Sequence, residues 1–222
     1  MSSTTTSYAN EKVEFIDSRG IVESPQTARA PIELTPEFVH QGFTLWFTGM
    51  SGTGKSTISH MLVERLRALG AKVEILDGDI VRTHLSKDLG FAKADRDENI
   101  RRIGFVCDLL SRNGVIAVAA AISPYRALRE ELRERITNFV EVHVQCPLEV
   151  LIGRDTKGLY RKALAGEIPN FTGISDPYEP PLAPEVTVDS STEIPEQSLE
   201  IVWATLENLG LITCDRSALP HD

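Results

Sequence analysis

A phosphate-binding pattern opens the most informative part of the chain, where Gly49-Met50-Ser51-Gly52-Thr53-Gly54-Lys55-Ser56 fits G-x-x-x-x-G-K-[ST]. Glycines let a loop approach phosphate oxygens closely, and the free N–H groups at the start of the following helix attract anions. Lys55 is expected to contact the β- and γ-phosphates, and Ser56 to ligate Mg²⁺. The pattern therefore predicts a triphosphate site formed by Gly49, Ser51, Gly52, Thr53, Gly54, Lys55, Ser56 and Thr57.

Two carboxylates follow the next predicted strand, where Asp77 and Asp79 are separated by one glycine. Phosphoryl transfer needs one carboxylate that orients or deprotonates the attacking hydroxyl and another that holds the water shell of Mg²⁺. An acidic turn after a strand is common by itself, but the phosphate-binding loop upstream favours the functional interpretation. We predict catalytic roles for Asp79 and Lys55, and a contact of Asp77 with Mg²⁺ through water.

Cationic and aromatic side chains cluster downstream of these carboxylates. Arginine forks bind phosphate and sulfate oxygens at two points, and Arg82 and Arg96 lie beside the predicted ligand crevice. Phe91 and Phe171 stand in polar, glycine-containing loops, where they either stack on a purine base or are buried under a loop. The pattern favours a ligand with an aromatic base and a strong anion. Other cations are equally well explained as solvated helix surface: Arg101, Arg102, Arg161 and Lys162.

Composition limits the possible classes of protein. With 222 residues, 41% of them hydrophobic, the chain is long enough for one catalytic domain plus an appendage of about 40 residues. The formal charge of −9 argues against a general nucleic-acid binder, because lysine and arginine contacts dominate that affinity. Cys107, Cys146 and Cys214 form no C-x-x-C pair, which disfavours zinc and disulfides. The chain lacks a long apolar run or a secretory signal, so we expect no membrane association and a cytoplasmic location.

Strand and helix patterns alternate from residue 42 onward, which predicts an α/β fold with a parallel five-stranded sheet, helices on both faces, and ligands at the carboxyl ends of the strands. Residues 1–41 are polar and aperiodic, and are interpreted as an N-terminal arm or linker; residues 42–212 form the domain and 213–222 a tail. The predicted strands are 43–48, 72–76, 115–122, 139–146 and 186–188. The predicted helices are 55–69, 80–85, 97–113, 126–137, 195–209 and one that begins with 148–154.

Several further blocks, in this order and at this spacing, resemble the adenylyl-sulfate kinase (APS kinase) family. They are the loop at 49–57, Asp77-Gly78-Asp79, Asp88-Leu89-Gly90-Phe91, 95–102 (DRDENIRR), Ile122-Ser123-Pro124-Tyr125, 154–160 (RDTKGLY), Gly166-Glu167-Ile168 and 171–179 (FTGISDPYE). The phosphate loop alone is shared by many kinases, whereas the combination of blocks is specific. The resemblance covers about residues 42–212.

The resemblance implies transfer of a phosphoryl group from ATP, with Mg²⁺, to the 3′-hydroxyl of adenosine 5′-phosphosulfate (APS). The product would be 3′-phosphoadenosine 5′-phosphosulfate (PAPS), the activated sulfate donor. It also implies a homodimer, a functional link to ATP sulfurylase, and a mobile lid over about 154–174 that includes Arg154 and Lys157. The implied substrate-binding residues are Asp77, Asp79, Arg82, Phe91, Arg96, Asn99, Ile122, Ser123, Lys157, Phe171 and Ile174. Phe91 and Phe171 would sandwich the adenine of the substrate, and Arg82 and Arg96 would hold its phosphosulfate.

One segment departs from the family pattern. Many members have Arg-His-Gly-Leu-Asn after the acidic pair, whereas this chain has Arg82-Thr83-His84-Leu85-Ser86-Lys87, more similar to kinase domains fused to ATP sulfurylase in some bacteria. Residues 1–41 are then either a stub of such a linker or an independent arm. Two other functions remain open, namely a different small-molecule kinase on the same scaffold and a non-catalytic nucleotide-binding module.

Overall fold

The computed structural model of this chain is described for residues 38–213. Five parallel strands form the main sheet: β2 (Thr44–Thr48), β3 (Val73–Asp77), β4 (Ile116–Ala120), β5 (Phe139–Gln145) and β6 (Val186–Asp189), in the order β3-β4-β2-β5-β6. The strand β2, which leads into the phosphate loop, is therefore central. This confirms the predicted α/β fold with a five-stranded parallel sheet.

Helices cover both faces of the sheet, as the near-continuous apolarity of its strands requires. On one face, α1 (Lys55–Ala68) and α7 (Pro195–Asn208) pack against alternate strand residues such as Leu45 and Phe47. On the other face, α3 (Lys93–Ser111) and α4 (Arg126–Arg135) pack around Trp46 and Phe139. Both apolar clusters are closed to solvent, so the sheet is a rigid platform whose carboxyl edge carries the loops.

Five short elements complete the described part of the fold. Two of them are helices between a strand and the site, α2 (Gly78–His84) and α5 (Leu148–Arg154). The sequence did not predict the helix α6 (Leu159–Leu164), nor the strands β1 (Val39–His40) and β7 (Ile212–Thr213), which pair antiparallel in a separate small sheet. These three elements have two to six residues each, too few for a periodic pattern.

The predicted N-terminal arm and C-terminal tail lie almost entirely outside the described residues. The strand Val39–His40 falls within the range predicted as arm, and α3 begins at Lys93 rather than at residue 97. Within 38–213, no helix is both long and apolar enough to cross a lipid bilayer.

Candidate active site

The phosphate loop joins β2 to α1. Gly54 precedes α1 with φ of 92°, a left-handed conformation that glycine adopts without strain. The first N–H groups of α1 have no acceptors within the helix and point toward the loop. Lys55 is 8% exposed, and its Nζ donates to the carbonyl oxygens of Gly49 and Met50, both at 2.8 Å. Burial lowers the pKa of Lys55 to about 7, and Asp77 opposes that shift.

A hydroxyl and a carboxylate lie side by side next to this loop. Ser56 Oγ donates to Asp77 Oδ2 at 2.6 Å, and Asp77 Oδ1 accepts the N–H of Asp79 at 3.0 Å, which caps α2. In the described part of the chain, no group of three or more His, Cys, Asp or Glu side chains is placed to hold a metal ion. Mg²⁺ in kinases is held by few protein groups, with phosphates and water supplying the rest. The Ser56–Asp77 pair therefore fits Mg²⁺ bound together with a nucleotide.

The second carboxylate of the acidic pair faces solvent and the lid segment. Asp79 Oδ2 forms an ion pair of 2.9 Å with Lys157 Nζ, and the side chains are 84% and 61% exposed, respectively. Because neither group is buried, a ligand is able to separate them at little cost. The structure thus places two predicted functional residues in contact with each other.

Arg82 and Phe91 form a second predicted pair. The Arg82 guanidinium lies 4.4 Å from the centre of the Phe91 ring and donates to the carbonyl of Gly90 at 2.6 Å. Burial lowers the pKa of Arg82, and the neighbouring charge of Arg96 acts in the same direction. Phe91 is 64% exposed, so one face of its ring is free to stack on a base.

Arg96 connects the two segments that carry the predicted aromatic walls. Its Nε donates to the carbonyl of Phe91 at 2.9 Å, and its Nη2 to the carbonyl of Asn170. Its Nη1 donates to Thr172 Oγ1 at 2.6 Å and to Asp176 Oδ2 at 2.9 Å. Most of the five N–H donors of the guanidinium are therefore used within the protein. Arg96 acts here as a clamp between the Phe91 and Phe171 segments, a role that the sequence did not predict.

Two residues predicted to bind the substrate have buried polar atoms without a hydrogen-bond partner among the described residues. Asn99 is 5% exposed and Ser123 is 3% exposed. Within residues 38–213, Asn99 Oδ1 and Ser123 Oγ are buried without a hydrogen bond. Buried polar atoms are rarely left unpaired, and these two have hydrogen-bonding capacity that the described residues do not use. Ser123 also has φ of 46°, and strained residues concentrate at functional sites.

A buried ion pair supports this strained residue. Arg129 and Glu141, whose side chains are 1% and 2% exposed, meet at 2.6 Å. Arg129 Nη1 also donates to the carbonyl of Ser123 at 2.5 Å, and Thr48 Oγ1 donates to that of Ile122 at 2.8 Å. The segment at the end of β4 is thus fixed from two sides. The sequence did not predict Arg129 or Glu141 as residues that support the site. Arg129 lies in a segment with the pattern of an amphipathic helix, and Glu141 in a segment with the pattern of a buried strand.

The predicted lid segment packs on the phosphate loop through a third apolar cluster, separate from the two that flank the sheet. Cys146, Leu151 and Tyr160 form its buried part, and Met50, Phe171 and Ile174 are among the residues packed against it. Tyr160 is 2% exposed, and its hydroxyl donates to the carbonyl of Ser51 at 2.8 Å. Its ring meets that of Phe171 edge-on, with centroids 5.1 Å apart. Tyr160 was not predicted as a site residue, although it lies in the quoted RDTKGLY block.

A cleft of about 280 Å³ lies beside the phosphate loop. Arg154 crosses it, donating from Nη2 to the carbonyl of Ser190 at 2.8 Å. The cleft is lined by Gly52, Thr53, Gly54, Thr57, Ile58, Arg154, Ser190, Glu193, Ile194, Pro195 and Ser198. It is thus continuous with the predicted triphosphate site.

Comparison with known proteins identifies the family of this chain. The profile of the family described as adenylylsulphate kinase matches residues 41–189. An adenylyl-sulfate kinase of Picosynechococcus is 63% identical over 174 residues, which are 78% of this chain and 98% of that protein. A probable bifunctional SAT/APS kinase 2 of Sorangium cellulosum is 60% identical over 77% of this chain and 29% of its own length.

A solved structure of a relative shows the same fold. The Mycobacterium tuberculosis APS kinase CysC, in complex with AMPPNP and APS, has 42% sequence identity and a TM-score of 0.71, over 76% of this chain and 99% of that one. Together with the family match over most of the described residues, these similarities establish that the chain belongs to the adenylylsulphate kinase family of P-loop kinases.

Proposed function

We infer that this chain transfers the γ-phosphoryl group of ATP to the 3′-hydroxyl of APS, which gives ADP and PAPS and so activates sulfate. The observation that carries the inference is the guanidinium of Arg96, which joins the Phe91 segment to the Phe171 segment. Phe171 in turn packs on the same apolar cluster as Met50 of the phosphate loop. A crevice with two aromatic side chains and cationic groups suits a nucleotide that bears an anionic tail.

Each residue of the site has its own role in the proposed reaction. In this proposal Lys55 leaves the carbonyls of Gly49 and Met50 and neutralises charge on the β- and γ-phosphates. Asp79 orients the 3′-hydroxyl for in-line attack and accepts its proton, after Lys157 has moved from the carboxylate to the anionic substrate. Asn99 Oδ1 and Ser123 Oγ, which are unpaired within 38–213, bind the substrate. Ser123 has no adjacent base among its described contacts, so we assign it to binding rather than to a phosphorylated intermediate.

We propose that Ser56 holds Mg²⁺ directly and that Asp77 holds it through water. Bound there, Mg²⁺ would neutralise the charge of the β- and γ-phosphates. The support is the 2.6 Å contact between the hydroxyl and the carboxylate, beside the helix terminus that faces the phosphates.

We also propose that the 280 Å³ cleft accepts the adenine of ATP. The support is its continuity with the phosphate loop through Gly52, Thr53 and Thr57. Arg154 and the carbonyl of Ser190 border it, so a planar base would lie along the guanidinium.

A coupled assay of ADP release tests the function. With ATP and Mg²⁺, we expect turnover with APS and little or none with AMP, adenosine or gluconate. A preference for one of the other acceptors would favour a different kinase on this scaffold. Binding of ATP without turnover on any acceptor would favour a non-catalytic nucleotide-binding module.

Three features of organisation are further proposals. We propose a homodimer, a functional link to ATP sulfurylase, and a division into an arm (1–41), a catalytic domain (42–212) and a tail (213–222). The similarity to a bifunctional SAT/APS kinase supports the second proposal. Light scattering on the full chain, and on a variant that lacks residues 1–41, tests the oligomeric state and the independence of the domain.

A further inference from the structure

The buried contacts of Tyr160 reach both substrate sites. Its hydroxyl donates to the carbonyl of Ser51 in the phosphate loop at 2.8 Å. Its ring and that of Phe171 form a T-shaped contact, at an interplanar angle of 80°. Phe171 belongs to the predicted wall of the APS site, so one side chain contacts the nucleotide loop and the substrate wall at once.

Tyr160 is itself held in place. Its backbone N–H donates to Asp155 Oδ1 at 2.9 Å, and its side chain is 2% exposed, within the third apolar cluster. Met50 of the phosphate loop packs against that cluster as well. Because packed interiors have few voids, a displacement of the loop backbone is transmitted to this side chain.

Nucleotide binding acts directly on the adjacent backbone. Lys55 Nζ donates to the carbonyls of Gly49 and Met50, the two residues before Ser51. A bound triphosphate would compete for the same ammonium group, so we expect its arrival to release these carbonyls and to change the constraints on Ser51. The contact with Tyr160 is one residue away from that change.

We propose that Tyr160 is a positioning residue that couples the nucleotide site to the APS site, an inference that rests on the proposed function. Occupancy of the phosphate loop fixes the Ser51 carbonyl, which fixes Tyr160 and holds Phe171 where the adenine of APS stacks. Nucleotide therefore strengthens APS binding, and by linkage APS strengthens nucleotide binding by the same factor.

Calorimetric titration of APS, with and without saturating ADP, measures this factor. ADP carries no γ-phosphoryl group, so no transfer to APS takes place during the titration. Tyr160→Phe removes only the hydroxyl, and should reduce the coupling factor about two- to tenfold, the equivalent of one hydrogen bond. The control is Thr205→Val, which removes a hydroxyl that donates to the carbonyl of Ile201 within α7 and should leave the factor unchanged.

The outcomes are separable. A coupling factor in Tyr160→Phe equal to that of the unaltered protein would overturn the inference, and so would the absence of coupling in the unaltered protein. An equal reduction in Thr205→Val would also overturn it, because the effect would then not depend on the contact with Ser51. Failure of APS to bind the unaltered protein would overturn the proposed function, and this inference with it.

Discussion

Replacing Asp79 with asparagine should reduce turnover strongly while changing the stability of the fold only slightly. The carboxylate is 84% exposed, and its 2.9 Å partner Lys157 is 61% exposed. Exposed ion pairs contribute about 0.2–1 kcal/mol to the free energy of unfolding. For a chain of this length, 1 kcal/mol corresponds to about 2–4 °C in Tm. Asp79→Asn should therefore lower Tm by no more than about 4 °C.

The effect on turnover should be far larger. A carboxylate that orients a hydroxyl and accepts its proton contributes about 10²–10⁴-fold to the rate, which is about 2.7–5.4 kcal/mol of activation free energy. Asparagine keeps the size of the side chain, but its amide does not accept a proton at neutral pH. Lys55 and the loop amides are unchanged, so the affinity for ATP should be retained.

Three measurements on the same variant test this reasoning: ADP release at saturating substrates, calorimetric binding of ATP, and thermal unfolding. The matched control is Glu200→Gln, which also removes an exposed carboxylate from an ion pair. The side chain of Glu200 is 65% exposed, and its Oε1 lies 2.5 Å from Arg65 Nη1. The control should keep near-normal turnover. Near-normal turnover in Asp79→Asn would remove Asp79 from the mechanism, and a parallel loss of ATP binding would show that its role is structural.

Three other substitutions test the remaining parts of the site. Ser56→Ala should raise the Mg²⁺ concentration needed for half-maximal turnover by about 10- to 100-fold; an unchanged Mg²⁺ titration would exclude Ser56 as a ligand. Gly173→Ala places a Cβ 2.9 Å from Met50 Sδ of the phosphate loop, at a backbone φ of 92°. In steady-state kinetics it should raise KM for APS more than KM for ATP. Equal increases in the two KM values would contradict a local effect on the APS site. Arg129→Met leaves the carboxylate of Glu141, whose side chain is 2% exposed, without its closest partner. The free energy of unfolding, measured in urea, should therefore fall by about 3–5 kcal/mol. A decrease below about 1 kcal/mol would show that the ion pair is dispensable for stability.

Local patterns in the sequence were sufficient for the phosphate loop and the main sheet. The glycine spacing around Lys55 and the apolar runs of the strands are short-range signals, and both match the structure. The helix Leu159–Leu164 was missed because six residues carry no reliable period. Its position depends on the contact between Tyr160 and Ser51, which are 109 residues apart.

The contacts of cationic and acidic residues were harder to predict than their presence. Arg96 was expected to bind the phosphosulfate of the substrate. In the structure it donates hydrogen bonds to Thr172 and Asp176, which lie 76 and 80 residues away in the sequence, too far for a local pattern to predict. Glu141 lies within a predicted buried strand, where a charge is costly unless paired. Only the fold shows that Arg129 supplies that partner.

The pairing of Val39–His40 with Ile212–Thr213 has a consequence for engineering. Antiparallel partners are about 5 Å apart, so the polypeptide enters and leaves the catalytic unit at neighbouring points. A short linker from Thr213 to Val39 would close this unit into a ring, and new ends could then be opened in a surface loop remote from the crevice. The same adjacency would allow the unit to be inserted between two foreign segments without separating its ends.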